Sequence, residues 1–410
     1  MKLLLINPRS KAQDALPIPP LGILYLAAYV RDICEVSVID DNRECNSEDY
    51  LEGRIKRVDV VGLTGTTSQF VNACKLARIA WKHNVTTIYG GSHASSTNPV
   101  GIFDYIVKGE GEVALRRILE NTVRNKKVRQ HTIKDLDTLP FPARDLVPIK
   151  DYPSRKLKRF DGSYTHMMTG RGCNSNCIFC SSPSMWKYPR LMSADRVFEE
   201  MLELYIKYGF KNIHFQDDTF TLSRKRVKKL CQKIKGSELD FRWSCQTRPD
   251  MVDEGLLKEM AEAGCVQIEF GVESGDTKLL ETAQKGYSKG QIVNAFSLAK
   301  KVGIATYGFF IIGLPGESVW TWLRSIWFAL KLNMDNSVWT VLMPYPGTAV
   351  FNQVKVLDTD YSNWLYKRPI IKVGHLSPRT LIVMRWVADK VANGFLNKGA
   401  YRDVRVRNES

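Results

Sequence analysis

A chain of 410 residues exceeds one ordinary domain of about 100–200 residues, so two or three folded units are expected. Hydrophobic residues at 44% and charged residues at 25% exclude wholesale disorder. The formal net charge of +16 points to an anionic partner (nucleic acid, phosphate, carboxylate or membrane surface) without choosing among them.

The N-terminal apolar run breaks at Asn7-Pro8-Arg9 before a signal-peptide core of about 7–15 residues can form, so it reads as a first strand. The most apolar run, Tyr307 to Leu314, falls short of the roughly 18–20 residues of a membrane span. A cytoplasmic protein is expected. Short buried strands are predicted over 2–6, 35–40, 59–63, 85–89 and 105–107, with helices over 21–32, 48–57, 69–83 and 112–125. This alternation implies a doubly wound parallel sheet, which binds ligands at the carboxyl ends of its strands. The loops expected there hold Thr64, Thr66 and Thr67, then Gly90, Gly91 and His93, then Glu110. They are small and polar, as a large flat ligand held by backbone contacts requires.

Residues 126 to about 160 read as a connector, with Leu139-Pro140-Phe141-Pro142-Ala143-Arg144 and the basic run Ser154-Arg155-Lys156-Leu157-Lys158-Arg159. Strands follow over 166–169, 211–216, 241–246, 265–270, 304–312 and 337–343, with helices over 194–207, 224–235, 254–263, 289–301 and 318–332. Six βα units suggest an incomplete barrel rather than a complete eight-stranded one. The segment 351–410 has a helical pattern over 380–396 and carries eleven basic against five acidic residues. With Trp364, Trp386 and Phe395 it could meet an anionic substrate or a membrane surface, or simply lie as a helical face on the barrel.

Nine cysteines scattered over a long chain are not a secreted disulfide framework. Cys173, Cys177 and Cys180 form a CxxxCxxC array just after the first predicted barrel strand. Zinc usually takes four ligands, and no nearby fourth Cys or His completes such a site. Three thiolates suit a [4Fe–4S] cluster with one iron open to a substrate or cofactor. Cys34, Cys45 and Cys74 read as small buried hydrophobes, and with Cys231, Cys245 and Cys265 they make six bystanders to the array. Acidic groups at Asp217 and Glu273, and the Arg248 guanidinium, fall on the barrel face where active sites sit.

The array, with Phe179 in its aromatic position, resembles the CxxxCxΦC signature of the radical S-adenosylmethionine (SAM) superfamily. The resemblance implies that the three cysteines hold the cluster. It also implies that Phe179, Asp217, Arg248 and Glu273 lie around SAM, with Glu273 on its ribose. Pro19-Pro20-Leu21-Gly22, Gly90-Gly91-Ser92-His93, Lys108-Gly109-Glu110-Gly111-Glu112, the connector motif and Pro344-Tyr345-Pro346-Gly347-Thr348 resemble the cobalamin-binding branch of that superfamily. On that footing Thr64, Thr66, Thr67, Gly90, Gly91, His93 and Glu110 are candidate cobalamin contacts. The branch's frequent DxHxxG string, whose His binds cobalt from below, is absent here, and His93 belongs to a different motif.

The fold expected is α/β: a Rossmann-like cobalamin-binding sheet (1–130), a connector (131–162), a partial (β/α)6 TIM-type barrel (163–350) and a short helical, basic extension (351–410). The resemblance implies methylation of an unactivated carbon through a 5′-deoxyadenosyl radical. A radical cyclase or oxidoreductase of the anaerobic porphyrin-ring type is the alternative. A methylthiotransferase, with a second cluster on Cys34, Cys45 and Cys74, and a cobalamin carrier without catalysis are further readings. The partners expected are a small-molecule, lipid or peptide substrate and an electron donor such as flavodoxin or ferredoxin. Peripheral membrane contact belongs to the same expectation, and specific nucleic-acid binding does not.

Overall fold

The computed structural model describes residues 1–11, 17–97, 99, 101–123, 125–128, 132–152, 160, 162–365 and 368–396. The basic run at 154–159, the Phe395 side chain and residues 397–410 lie outside that set.

The first unit runs β1 (Lys2–Asn7), α1 (Leu21–Val30), β2 (Glu35–Asp40), α2 (Asp41–Glu44), α3 (Glu48–Ile55), β3 (Val60–Leu63), α4 (Phe70–Lys82), β4 (Thr86–Tyr89), α5 (Ser92–Ser96), β5 (Tyr105–Val107), α6 (Glu112–Leu119) and β6 (Lys127–Val128). All strand pairs are parallel, in the order β2-β1-β3-β4-β5-β6. The two-residue β6 was not foreseen: it is too short to leave a hydrophobic period. Helix α6 also stops earlier than predicted, just before Asn121 adopts a left-handed φ of 55°.

Alternation along β1 builds two cores. Leu4 and Ile6 pack with α3 and α4 on one face, while Leu3 and Leu5 pack with α1 and α6 on the other. Each such buried side chain stabilises the fold by about 1.5–3 kcal/mol. The chain leaves β1 in opposite directions toward β2 and β3, so their carboxyl ends form a topological switch point. There Asn7 bonds Asp40 at 2.8 Å and Gln69 at 2.8 Å, which closes the β1/β3 crevice. The small-residue surface beside it belongs to β3 and β4.

The second unit comprises β7 (Tyr164–Met167), the small hairpin β8 (Gly170–Arg171) and β9 (Arg190–Leu191) around α7 (Ser182–Met185), then α8 (Ala194–Tyr208), β10 (Asn212–Phe215), α9 (Arg224–Gly236), β11 (Arg242–Thr247), α10 (Glu254–Glu262), β12 (Cys265–Glu273), α11 (Thr277–Thr282), α12 (Lys289–Lys301), β13 (Ala305–Ile312), α13 (Val319–Lys331), β14 (Asn336–Val341) and α14 (Pro378–Leu396). Its six-stranded parallel sheet is ordered β14-β13-β12-β11-β10-β7, a sequential open barrel wall. The C-terminal helix α14 lies on β14 and beside α13, and so supplies the sixth helix of the barrel. Asn393 fixes its register through bonds to the Ser337 amide at 2.8 Å and carbonyl at 2.9 Å.

The connector motif has a physical role. Arg144 is wholly buried and meets the equally buried Glu200 of α8 at 2.5 Å, and Arg196 meets the same carboxylate at 3.1 Å. Among the described residues no helix is long and apolar enough to cross a membrane.

Candidate functional site

The three cysteines sit on the loop that follows β8, at the carboxyl end of the barrel. All are free thiols, and all are half-buried. Gly172 opens the loop at φ 86°, and a Cβ there would come within 3.0 Å of Trp186, so glycine is needed just before Cys173. Ile178 stitches the loop down: its amide donates to the Ala283 carbonyl at 3.3 Å and its carbonyl accepts from Val350 at 2.9 Å. Burial pushes the Cys180 thiol up to about 11 and raises Cys177 as well, with Lys285 opposing the rise at Cys177. Iron displaces such protons on binding.

Two adjacent acids pin the loop from either side. The Asp217 carboxylate accepts from the Thr169 amide at 2.6 Å and the Gly170 amide at 3.2 Å, with Arg226 at 3.6 Å behind it. Asp218 accepts from Ser182 Oγ at 2.6 Å. Burial raises both carboxyl pKa values. The Asp217 carboxylate is thus turned onto the strand leading into the cysteine loop. Arg248 forms a two-point pair with Asp250 at 2.9 and 2.8 Å, donates to the Lys285 carbonyl at 2.9 Å and touches Ser175 between Cys173 and Cys177.

Glu273 ends β12 in the left-handed region at φ 66°, an uncommon conformation that costs of order 1–3 kcal/mol. Its Oε1 accepts from Lys285 Nζ at 2.9 Å. Lys285 is the residue that sequence reasoning missed. It is buried, with Nζ 5.5 Å from the Phe179 ring centroid and 5.4 Å from that of Tyr287. Burial disfavours its charge, but Glu273, then Tyr287 and Cys177, outweigh this and hold its pKa above the ordinary lysine value. A lone Lys in a Gly-containing turn carries no local signal; only the fold brings it to Cys177. Phe179, Arg248, Glu273 and Lys285 therefore surround the cysteine loop, as a site for a ligand with both a carboxylate and polar hydroxyls requires.

The carboxyl ends of the first sheet face this loop. Glu110 meets Arg171 at 2.8 Å and Arg190 at 2.8 Å, and Glu112 also pairs with Arg171, all four side chains being buried. Glu110 is thus engaged by the barrel hairpin rather than turned to an open surface. Thr64-Gly65 and Gly90-Gly91 approach backbone to backbone: Gly91 has φ 98°, and a Cβ there would lie 2.8 Å from Thr64 Oγ1. Thr66 closes a local cap with Gln69. His93 is buried, bonds Thr67 Oγ1 at 3.2 Å and packs against Phe70 and Tyr361. Burial pushes its pKa down to about 4, so the ring is neutral near pH 7. The Pro344–Thr348 loop closes one flank, with Gly347 so near Ser96 that a Cβ would lie 3.1 Å from its carbonyl.

These residues fit the expected cofactors. The three thiols share one loop, and among the described residues no trio of His, Cys, Asp or Glu is set for a single metal ion. The small-residue floor of Thr64–Gly65 and Gly90–Gly91 offers backbone to a flat ligand. Cys34 and Cys74, by contrast, lie in different cores on opposite faces of the first sheet, and Cys45, expected to be buried, is exposed where it caps α2, so no second cluster site forms from the three.

The Radical SAM superfamily matches residues 167–328, and the B12 binding domain matches residues 12–119. An uncharacterized methyltransferase of Pyrococcus horikoshii is 34% identical over 92% of this chain and 89% of its own length. The anaerobic magnesium-protoporphyrin IX monomethyl ester cyclase of Rubrivivax gelatinosus is 25% identical over 91% of this chain and 74% of its own. The structure of the radical SAM methyltransferase TsrM from Kitasatospora setae, with cobalamin and a [4Fe–4S] cluster bound, shares the fold at a TM-score of 0.68 and 19% identity, covering 85% of this chain and 76% of that one. The thiol loop, the facing sheet and these relationships agree: the chain belongs to the cobalamin-dependent radical SAM methyltransferase family, with a [4Fe–4S] cluster, SAM and cobalamin as its cofactors.

Proposed function

We propose that this enzyme methylates an unactivated carbon of a small-molecule, lipid or peptide substrate. The observation that carries the reading is the meeting of the two carboxyl faces, with Arg171, two residues before Cys173, paired to Glu110 and Glu112 at the end of the first sheet. Cys173, Cys177 and Cys180 hold the cluster. Thr64, Thr66, Thr67, Gly90, Gly91 and His93, within residues 1–130, form the cobalamin floor; residues 163–350, completed by α14 of the 351–410 extension, form the radical barrel, joined by the connector at 131–162. When bound, cluster and SAM supply a 5′-deoxyadenosyl radical and cobalamin supplies the methyl group.

The chain's own residues bind, orient and exclude water. Lys285 offers its buried ammonium to the SAM carboxylate while Glu273 accepts from the ribose hydroxyls. Phe179 covers the site, and Asp217, Asp218 and Arg248 act as positioning residues on the cysteine loop. His93, held by Thr67 and two aromatic rings, would line the floor on which cobalamin is held. A flavodoxin or ferredoxin in the cytoplasm supplies electrons.

The test is anaerobic reconstitution with cobalamin and SAM, followed by mass spectrometry of substrate pools. A methylated product with S-adenosylhomocysteine and 5′-deoxyadenosine supports the reading. A product oxidised or cyclised without an added methyl overturns it in favour of the cyclase chemistry named for the Rubrivivax relative.

A further inference from the structure

The flank of the barrel formed by α13 and α14 carries an aromatic, basic surface that the chemistry above does not use. On α13, Val319, Leu323 and Trp327 recur every fourth residue along the outer face, with Trp320 beside them. On α14, Ile382 and Trp386 keep that four-residue spacing, with Val383 beside them. The tryptophans are the clearest departure from an ordinary soluble surface: Trp320 is 74% exposed, Trp327 55% and Trp386 57%. The two helices pack side by side, which sets both stripes on one flank of the barrel. Trp364, grouped with Trp386 in the sequence, is buried and takes no part.

Charge says what covers the patch. Lys331 continues the first stripe, with Nζ 3.7 Å from the Trp327 ring centroid, and the exposed Lys390 continues the second. Arg379 is exposed at the other end of α14. Helix α13 has no acidic residue, and the one acid of α14, Asp389, accepts from Asn393 at 2.9 Å. Arg324, the remaining cation of α13, is already paired to Asp276 at 2.7 Å. A second copy docked about a two-fold axis would set Lys331, Arg379 and Lys390 against the same cations with little acid to answer them. Exposed tryptophans flanked by Lys and Arg are instead the composition of a surface that enters the boundary of an anionic bilayer.

We propose that the α13/α14 flank docks the enzyme on an anionic membrane surface, Trp320, Trp327 and Trp386 entering the headgroup boundary and Lys331, Arg379 and Lys390 meeting lipid phosphates. This goes beyond the methylation reading and holds whatever the reaction. Of the 351–410 extension it keeps Trp386 and helix α14, and it adds α13 of the barrel to the membrane-facing surface.

The test is co-sedimentation of the full chain with vesicles of phosphatidylglycerol and phosphatidylcholine, and with vesicles of phosphatidylcholine alone. Binding to the anionic vesicles is expected, reduced by high salt and weakened at least about ten-fold in the Trp327→Glu/Trp386→Glu variant, whose circular dichroism stays unchanged. On the unaltered protein, anionic vesicles should slow amide hydrogen exchange in 319–331 and 378–390, a readout that stands even if the variant fails to fold. The proposal is overturned by no binding to anionic vesicles, by equal binding of the folded variant, or by protection at 397–410 in place of the helices. A dimer of the unaltered protein in sedimentation velocity that the variant abolishes would also overturn it, by assigning the face to a second copy.

Discussion

Glu110 and Arg171 meet at 2.8 Å with both side chains buried, and this pair joins the β5–α6 loop of the first sheet to the strand that leads into the cysteines. Arg171 keeps Glu112 when Glu110 is neutralised, but Arg190 leans on Glu110 alone and would be left buried without a carboxylate. Glu110→Gln should therefore destabilise the chain by about 3–5 kcal/mol. Thermal unfolding followed by circular dichroism reads this directly, and a shift indistinguishable from a surface substitution would show that the pair does not hold the two faces together.

The cluster assignment makes a stoichiometric prediction. Reconstituted protein should carry about four irons per chain. Changing Cys173, Cys177 and Cys180 together to Ala should remove them and abolish reductive cleavage of SAM. Changing Cys34, Cys45 and Cys74 to Ser should leave the iron count unaltered, whereas about eight irons in the unaltered protein would establish the second cluster of a methylthiotransferase.

Lys285 is expected to act on SAM affinity. A charge-assisted hydrogen bond contributes about 1.5–3 kcal/mol, so Lys285→Met should raise the KM for SAM about ten- to hundred-fold. Lys285→Arg should restore much of the loss. Equal loss in both variants with unchanged KM would restrict Lys285 to holding Glu273.

His93 makes stability depend on pH with a defined sign. Its folded pKa of about 4 lies below the ordinary 6.5, so between those values the unfolded chain binds the extra proton. Its contribution is therefore full above about pH 6.5 and falls as pH drops toward 4, by about 3 kcal/mol across the window. His93→Gln should flatten that part of the urea-stability profile relative to the parent, and parallel profiles would show that the ring titrates freely.

What could be read from the residues alone follows the range of the interactions. The cysteine spacing, the βα alternation and the incomplete barrel are local patterns of a few to twenty residues. The partners of Glu110 and Asp217 are not: Arg171 is 61 residues from Glu110, and Thr169 is 48 from Asp217. A carboxylate at a strand end looks the same in sequence whether it faces a ligand or a buried guanidinium. Lys285 went unnoticed for the converse reason, since a lysine in a turn ordinarily points to water.

The position of α14 also fixes an order of events during synthesis. β14 ends at Val341, yet the helix that covers it begins only at Pro378. While the ribosome makes the intervening segment, at about 5–20 residues per second, the outermost strand of the barrel has no helix against its outer face. The first sheet can be complete by then, but the barrel closes its flank last. A nascent chain stalled between the two elements would leave the apolar outer face of β14 uncovered, and premature termination there would yield a folded cofactor sheet joined to an aggregation-prone barrel.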